Sequence, residues 1–264
     1  GCTSLQSIKG VGKITKYCEG CFAGCDAKWI YLDPEAEYEA RVFAEMDVES
    51  ITFPAGFKTV PNEMFYKCEK LSSLDLGEVE TIGNYAFNGC SIRTVTIPKS
   101  VTYVGEDAFS GYPIPNSLYG ERAPMDNVYI YGENIQLGPG GTSTMSATQV
   151  TIGNTVRRIS GMIGRDTSTI IFEEGSVCEH FCSMRSSTIK SITLPDCIKE
   201  LDEMAFSSCK ELKSAKLPAS LTTIPKSAFE LCTSLESVTI PDGIVVIGEK
   251  AFYECKALEK ITLP

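Results

Sequence analysis

The chain has 264 residues, 43% hydrophobic and 22% charged, with a formal net charge of −10. That acidity argues against nucleic acid or an anionic membrane surface as its partner. No run of 18 apolar residues is present, so no segment reads as a membrane-spanning helix.

In chain order, residues 1–25 form a loose first unit bounded by Cys2 and Cys25. The stretch "WIYLDPEAEYEARVFAEMD", residues 29–47, departs from it. Asp33 can cap a helix, Pro34 suits its first position, and Ala36, Ala40, Phe43 and Met46 mark one face. A helix of about three turns is expected here in place of a strand. Glu35, Glu37, Glu39 and Glu45 form its solvated face, and no D-x-D-x-D-G calcium loop is present. Trp29, the single tryptophan, and Tyr31 are expected to pack beneath it, with exposure as anchors the alternative.

From Cys68 the pattern is regular. The template C-x-x-L-x-x-V-x-I-P-x-x-I-x-x-I-G-x-x-A-F-x-x-C starts at Cys68, Cys90, Cys209 and Cys232, with residues 189–209 a fifth copy and a period of 22–23 residues. Val238-Thr239-Ile240 alternates apolar and polar, the mark of a half-buried strand. Pro241 has no N–H to donate, so the ladder stops there, and Pro54, Pro98, Pro195 and Pro218 stand at the same place. A second aliphatic pair follows, such as Ile244 and Ile247. Gly248 or Pro225 bends the chain again, and Ala251-Phe252 closes the turn. One unit cannot bury its own apolar face, but stacked units can. Periods of about 20–29 residues with this aliphatic pattern belong to leucine-rich-repeat solenoids. Phe22, Phe65, Phe87, Phe109, Phe206, Phe229 and Phe252 then form an aromatic column.

The larger break spans residues 110–149. It holds Tyr112, Tyr119, Arg122, Tyr129 and Tyr131, residue types that interfaces favour. These five are the candidate ligand-binding residues, and 110–132 is the expected interaction loop, with a packed irregular turn the alternative. Asn127-Val-Tyr-Ile-Tyr131 still resembles a strand, so part of the segment keeps the stack. The template returns at Gln149-Val-Thr-Ile152, and residues 164–188 form another irregular unit. A single domain over 1–264 is read, with irregular units at 26–47 and 113–188.

Of twelve cysteines, Cys2, Cys25, Cys68, Cys90, Cys209, Cys232 and Cys255 share one repeat position and read as buried free thiols. Cys18, Cys21, Cys178, Cys182 and Cys197 leave room for one or two disulfides. Cys2 could also carry the lipid of a lipoprotein, although Cys2-Thr-Ser-Leu5 matches Cys232-Thr-Ser-Leu235 and fits the column without one. The lone histidine lies in "CEHFC", residues 178–182, where Phe181 is placed in the aromatic column. Cys178, Cys182 and Cys197 with His180, or Cys18, Cys21 and Cys25, lack two well-spaced ligand pairs for zinc. Cys178 or Cys182 with His180 is the only arrangement for nucleophilic chemistry, with Glu179 to orient it. No phosphate loop or G-x-S-x-G elbow occurs, so no enzyme, metal or cofactor is expected.

On the outward strand positions stand Thr52, Thr96, Thr151, Thr193, Thr239 and Thr262, often with Ser50, Ser191, Ser214 or Ser237 two residues earlier. Threonine suits an exposed strand for its own sake. The same strip would also serve as a flat hydrogen-bonding surface for protein or glycan.

The stretch "LTTIPKSAFELCTSLESVTIPDGIVVIGEKAFYEC" resembles the BspA-like leucine-rich-repeat family. The resemblance covers about two thirds of the chain. It implies a right-handed superhelix of short parallel strands and loops with few short helical turns. It also implies a bacterial surface or secreted protein, and adhesion to an extracellular protein or glycan. The reading is a non-enzymatic binding module at the cell surface or secreted, lipid-anchored if Cys2 is modified. The alternative is a structural spacer within a longer surface protein. The abrupt start at Cys2 and end at Pro264 predict further units and self-association through uncapped ends.

Overall fold

The computed structural model describes residues 1–10, 12–109, 111–113, 122–138, 145, 147–185 and 187–264. Each turn of the coil presents two short strands and a bend, and about ten turns stack in parallel. The first face is built from strands such as Ser50–Thr52, Thr94–Ile97, Ser191–Thr193 and Ser237–Thr239. Their middle residues point inward; Ile51, Val95 and Ile192 are buried and Val238 is half-buried. The register keeps like over like: Ser191 lies opposite Ser214, and Ser214 opposite Ser237. After a further bend comes the second face. Its longest sheet has seven strands, running from Thr59–Val60 to Glu200–Leu201. Val60, Ile82, Val104 and Leu137 stand in register as its buried column, and Ile159 continues the aliphatic lining opposite Ile135.

The third side is a column of rings. Phe22, Phe43, Phe65, Phe87 and Phe109 stack at centroid spacings of 6.0, 5.7, 5.6 and 5.2 Å. Phe206, Phe229 and Phe252 continue it at 5.3 and 5.5 Å. Between the two runs stand Met145, bridged to Phe109, then Ile163 and Met184, all fully buried. The backbone identifies them: Met184 N–H donates to Ala205 O just as Phe206 N–H donates to Ala228 O. Phe181 is therefore not in this column. It lies in the strand His180–Phe181, opposite Leu201, and fills the second-face aliphatic column.

The helix expected near residues 34–46 does not form, and no helix occurs among the described residues. Residues 26–47 supply the strands Trp29–Tyr31 and Glu37–Tyr38 and a bend carrying Phe43. The capping chemistry of Asp33 is real but local. Its Oδ1 accepts the Glu35 N–H at 3.1 Å, which closes a turn rather than starting a helix. Once Phe43 stacks between Phe22 and Phe65, burial in the column outweighs helix propensity.

All twelve cysteines are free, so the disulfides allowed for Cys18, Cys21, Cys178, Cys182 and Cys197 are absent. The repeat-position thiols have a shared partner. Sγ of Cys68, Cys232 and Cys255 donates to the carbonyl of Phe43, Phe206 and Phe229, one turn back, at 3.1, 3.0 and 3.1 Å. Cys209 does the same to Met184 at 3.2 Å. A small apolar residue with one weak donor is what this position requires. Burial pushes the Cys68 thiol up to about 12 and the Cys255 thiol to about 11. Thiol alkylation of the folded protein should therefore label the exposed Cys2 and Cys18 rapidly, while Cys68, Cys90, Cys209 and Cys232 wait for denaturant. Rapid labelling of the buried set, read by peptide mass, would contradict the column.

The bend uses two left-handed residues per turn. One set includes Arg41, Glu63, Tyr85, Ser227 and Lys250, and the other Glu45, Lys67, Ser208, Leu231 and Glu254. Their φ values lie between 53° and 61°, where non-glycine residues pay a steric cost of about 1–2 kcal/mol. Lys250 is exposed, so Lys250→Gly should gain about 0.5–1 kcal/mol once the extra flexibility of unfolded glycine is subtracted. A lower melting temperature in that variant would contradict this.

Candidate functional site

Three places were candidates from their residue types, and the fold treats each differently. At the main break, Tyr112–Pro113 pairs antiparallel with Arg122–Ala123, Tyr112 opposite Ala123 and Pro113 opposite Arg122. The insertion leaves the coil at Gly111, where φ is 89°. Tyr112 and Arg122 thus sit on facing strands of one hairpin, and Tyr119 lies outside the described residues. The chain then rejoins the stack through Met125–Ile130, as the strand-like Asn127–Tyr131 pattern predicted. Tyr129 stands on the outer face of that strand, between Thr96 and Thr151.

Tyr131 is tied down. It follows the strand where Pro98 follows Ile97 one turn earlier. Its hydroxyl donates to Glu173 Oε1 at 2.7 Å, and Glu173 Oε2 accepts the Asn154 N–H at 3.1 Å. The ring crosses Gly153 so closely that an added Cβ would come within 2.3 Å of Cδ1. Tyr131 is a strut over the next turn.

His180 is nearly buried and bonded on both sides. Nδ1 lies 2.9 Å from Glu200 Oε2 and Nε2 lies 2.7 Å from Asp202 Oδ1. The orienting acids therefore come from the next turn, and Glu179 instead pairs with Lys199 at 3.0 Å. No Cys–His pair forms. Cys178 Sγ donates to the His180 carbonyl at 3.3 Å, and burial raises its thiol to about 12. Burial pushes the Cys182 thiol well up too. Both are protonated, buried thiols and poor nucleophiles. Among the described residues, no three His, Cys, Asp or Glu side chains converge as metal ligands.

The hydrogen bond from His180, with Arg158 nearby, holds the Glu200 carboxyl below the usual carboxylate range. A depressed acid contributes stability that is complete above about pH 4.3 and lost as pH falls through its folded value. Glu200→Gln should flatten this part of the acid limb as pH falls below about 4.3. An unchanged melting-temperature profile would refute it.

The third place is the outer surface of the first face. The hydroxyl strip is present: Ser50, Thr52, Thr94, Thr96, Ser191 and Thr193 are exposed in register. It is not uniform, since Thr151 is only 6% exposed, flanked by Tyr129 and Ile171. At its N-terminal end stand Trp29 and Tyr31, each 57% exposed, on the strand Trp29–Tyr31. The expected packing beneath a helix fails because there is no helix. The signal was available: Trp29-Ile30-Tyr31 aligns with Ser50-Ile51-Thr52, which puts the isoleucine inward and both aromatics outward.

The pattern defining the BspA type leucine rich repeat region matches residues 1–115 and 176–264, in six copies. The chain belongs to this family. Among solved structures, this BspA-type chain is similar to a leucine-rich repeat protein from Bacteroides ovatus (22% identity, 96% of this chain and 77% of that one, TM-score 0.52). It also resembles one from Eubacterium ventriosum (16% identity, 98% and 79% covered, TM-score 0.50). A leucine rich cell surface protein from Faecalibacterium prausnitzii aligns over 98% of this chain and 77% of its own, with 20% identity and a TM-score of 0.39. No curated protein matches. The unmatched middle of the BspA-type chain holds Tyr119, Arg122, Tyr129 and Tyr131, yet it keeps both faces stacked. No helix among the described residues is long and apolar enough to cross a membrane.

Proposed function

We propose that this chain is a non-enzymatic binding module, displayed at the cell surface or secreted, that recognises an extracellular protein or glycan through its solenoid surface. The observation that carries this reading is the outer surface of the first face. Along much of the stack it presents exposed side chains at the strand spacing, hydroxyl-bearing at most positions and aromatic at Trp29 and Tyr31, with Tyr129 half-buried further along. A rigid ladder of this kind offers contacts already ordered before a partner arrives, which lowers the entropy cost of binding. Family membership supports the same reading. The hairpin bearing Tyr112 and Arg122 is the second contact region.

The test is a binding screen against extracellular-matrix proteins and glycans, run beside a Tyr112→Ala/Tyr119→Ala/Arg122→Ala variant. Binding lost in the variant places the contact at the hairpin, and binding retained places it on the strand face. Silence across the panel at tens of micromolar would overturn the module reading.

A spacer role is the second reading, favoured by the ion pairs that join successive turns. Lys16 reaches Glu37 and Glu39, Lys58 reaches Glu80, and Lys226 reaches Glu249. Each exposed pair is worth little alone, but together they stiffen the stack.

A further inference from the structure

We infer that the groove beside Trp29 and Tyr31 binds a neutral saccharide. This rests on the binding-module reading and narrows it to one site and one ligand class. The strand Trp29–Tyr31 pairs with Ser7–Lys9, but its ladder does not continue to Ser50–Thr52, which pairs onward with Ser73–Asp75. A shallow groove opens at this interruption. Its lining comprises Trp29, Ile30, Tyr31, Leu32, Ser50, Thr52 and Pro54.

The chemistry of that lining selects the ligand. It carries no charged side chain, although the protein has a net charge of −10. A cationic ligand would find no carboxylate in the groove, and an anionic one would meet the repulsion of the whole chain. A purely apolar ligand would bury the Ser50 and Thr52 hydroxyls without partners. A neutral sugar avoids all three conflicts. Its C–H faces lie on aromatic rings, and its hydroxyls exchange hydrogen bonds with Ser50, Thr52, the indole N–H and the Tyr31 hydroxyl.

The placement fits. Trp29 and Tyr31 are alternate residues of one strand, so they project from the same side roughly 6.6 Å apart. Both remain more than half exposed, and a solvent-facing pair of large aromatics marks a contact surface. The Lys9 ammonium sits over the Tyr31 ring, 5.6 Å from its centroid, and does not line the groove. The equivalent positions in neighbouring turns are Ser50 with Thr52 and Ser73 with Asp75, so the aromatic pair is particular to this turn.

The single tryptophan makes the site its own reporter. The chain is run through native gels containing xylan, mannan, laminarin or hydroxyethyl cellulose, then titrated with oligosaccharides of whichever polymer retards it. The expected result is retardation by at least one polymer and a saturable blue shift of Trp29 emission. Trp29→Ala and Tyr31→Ala each weaken retardation tenfold or more, Trp29→Phe keeps most of it, and Tyr253→Ala, at an exposed tyrosine far along the chain, keeps all of it. Because the aromatics are exposed, the melting temperature stays at the wild-type value in each variant, which separates lost binding from lost fold. Retardation that survives Trp29→Ala overturns this assignment but leaves the module reading intact. So does protein binding in the wider screen with no retardation by any polymer. No binding to any protein or glycan overturns both.

Discussion

Truncating Phe229 to alanine should lower the stability of the stack by about 3–5 kcal/mol. The ring is fully buried and lies between Phe206 at 5.3 Å and Phe252 at 5.5 Å. Its removal opens a cavity and ends two stacking contacts, each worth about 0.5–1.5 kcal/mol. The backbone there also accepts the Cys255 thiol, so any relaxation that closes the cavity strains a second interaction. Phe229→Leu should cost much less, because it restores most of the volume and forfeits only the stacking. In a solenoid each turn touches only its neighbours, so the damage should stay between the Phe206 and Phe252 turns. Denaturant melts of both variants decide the matter. A loss below about 1 kcal/mol for the alanine variant would mean the ring column does not hold the coil.

Gly161→Ala is the second large effect, and Gly175→Ala is its internal control. Both glycines are left-handed, with φ of 98° and 76°. A Cβ on Gly161 would stand 2.1 Å from the Leu137 carbonyl oxygen, which is backbone and cannot swing away. A Cβ on Gly175 meets nothing within 4 Å. Gly175→Ala should therefore cost only the conformational strain, about 1–2 kcal/mol. Gly161→Ala adds overpacking between stacked turns, for a total of about 3–5 kcal/mol. Equal losses at the two positions would show that close approach of the turns contributes nothing.

Much of this architecture can be read in the chain. The proline stops, the cysteine spacing and most of the ring column follow from the period alone. Phe43 escaped because Ala36, Ala40, Phe43 and Met46 also satisfy a helical period, and Asp33-Pro34 mimics a helix start. Only stacking against Phe22 and Phe65 decides between the two, and that is a contact between turns. Met145, Ile163 and Met184 escaped because the column tolerates any large apolar residue while a pattern search looks for phenylalanine. The left-handed bend positions leave a faint trace as Gly20, Gly24, Gly89 and Gly111, but Arg41, Leu231 and Lys250 occupy them in other turns. For the candidate site, tyrosine and arginine content pointed to the hairpin. It did not reveal that Tyr131 is bound to Glu173, which lies 42 residues further along the chain. Trp29 and Tyr31 were misplaced for one reason: a wrong element assignment carried its side chains with it.

The interruption of the ring column coincides with the longest ladders. Met125–Ile130 and Ala147–Ile152 have six residues each, against three in Ser50–Thr52 and Ser191–Thr193. The centre of the coil is thus held more by backbone hydrogen bonds and the two flanks more by aromatic contact. Amide protons should exchange slowest in the centre and fastest at the flanks. Because apolar contact weakens on cooling, the protection of the flanks should fall first as the temperature drops toward freezing, while the central amides stay closed.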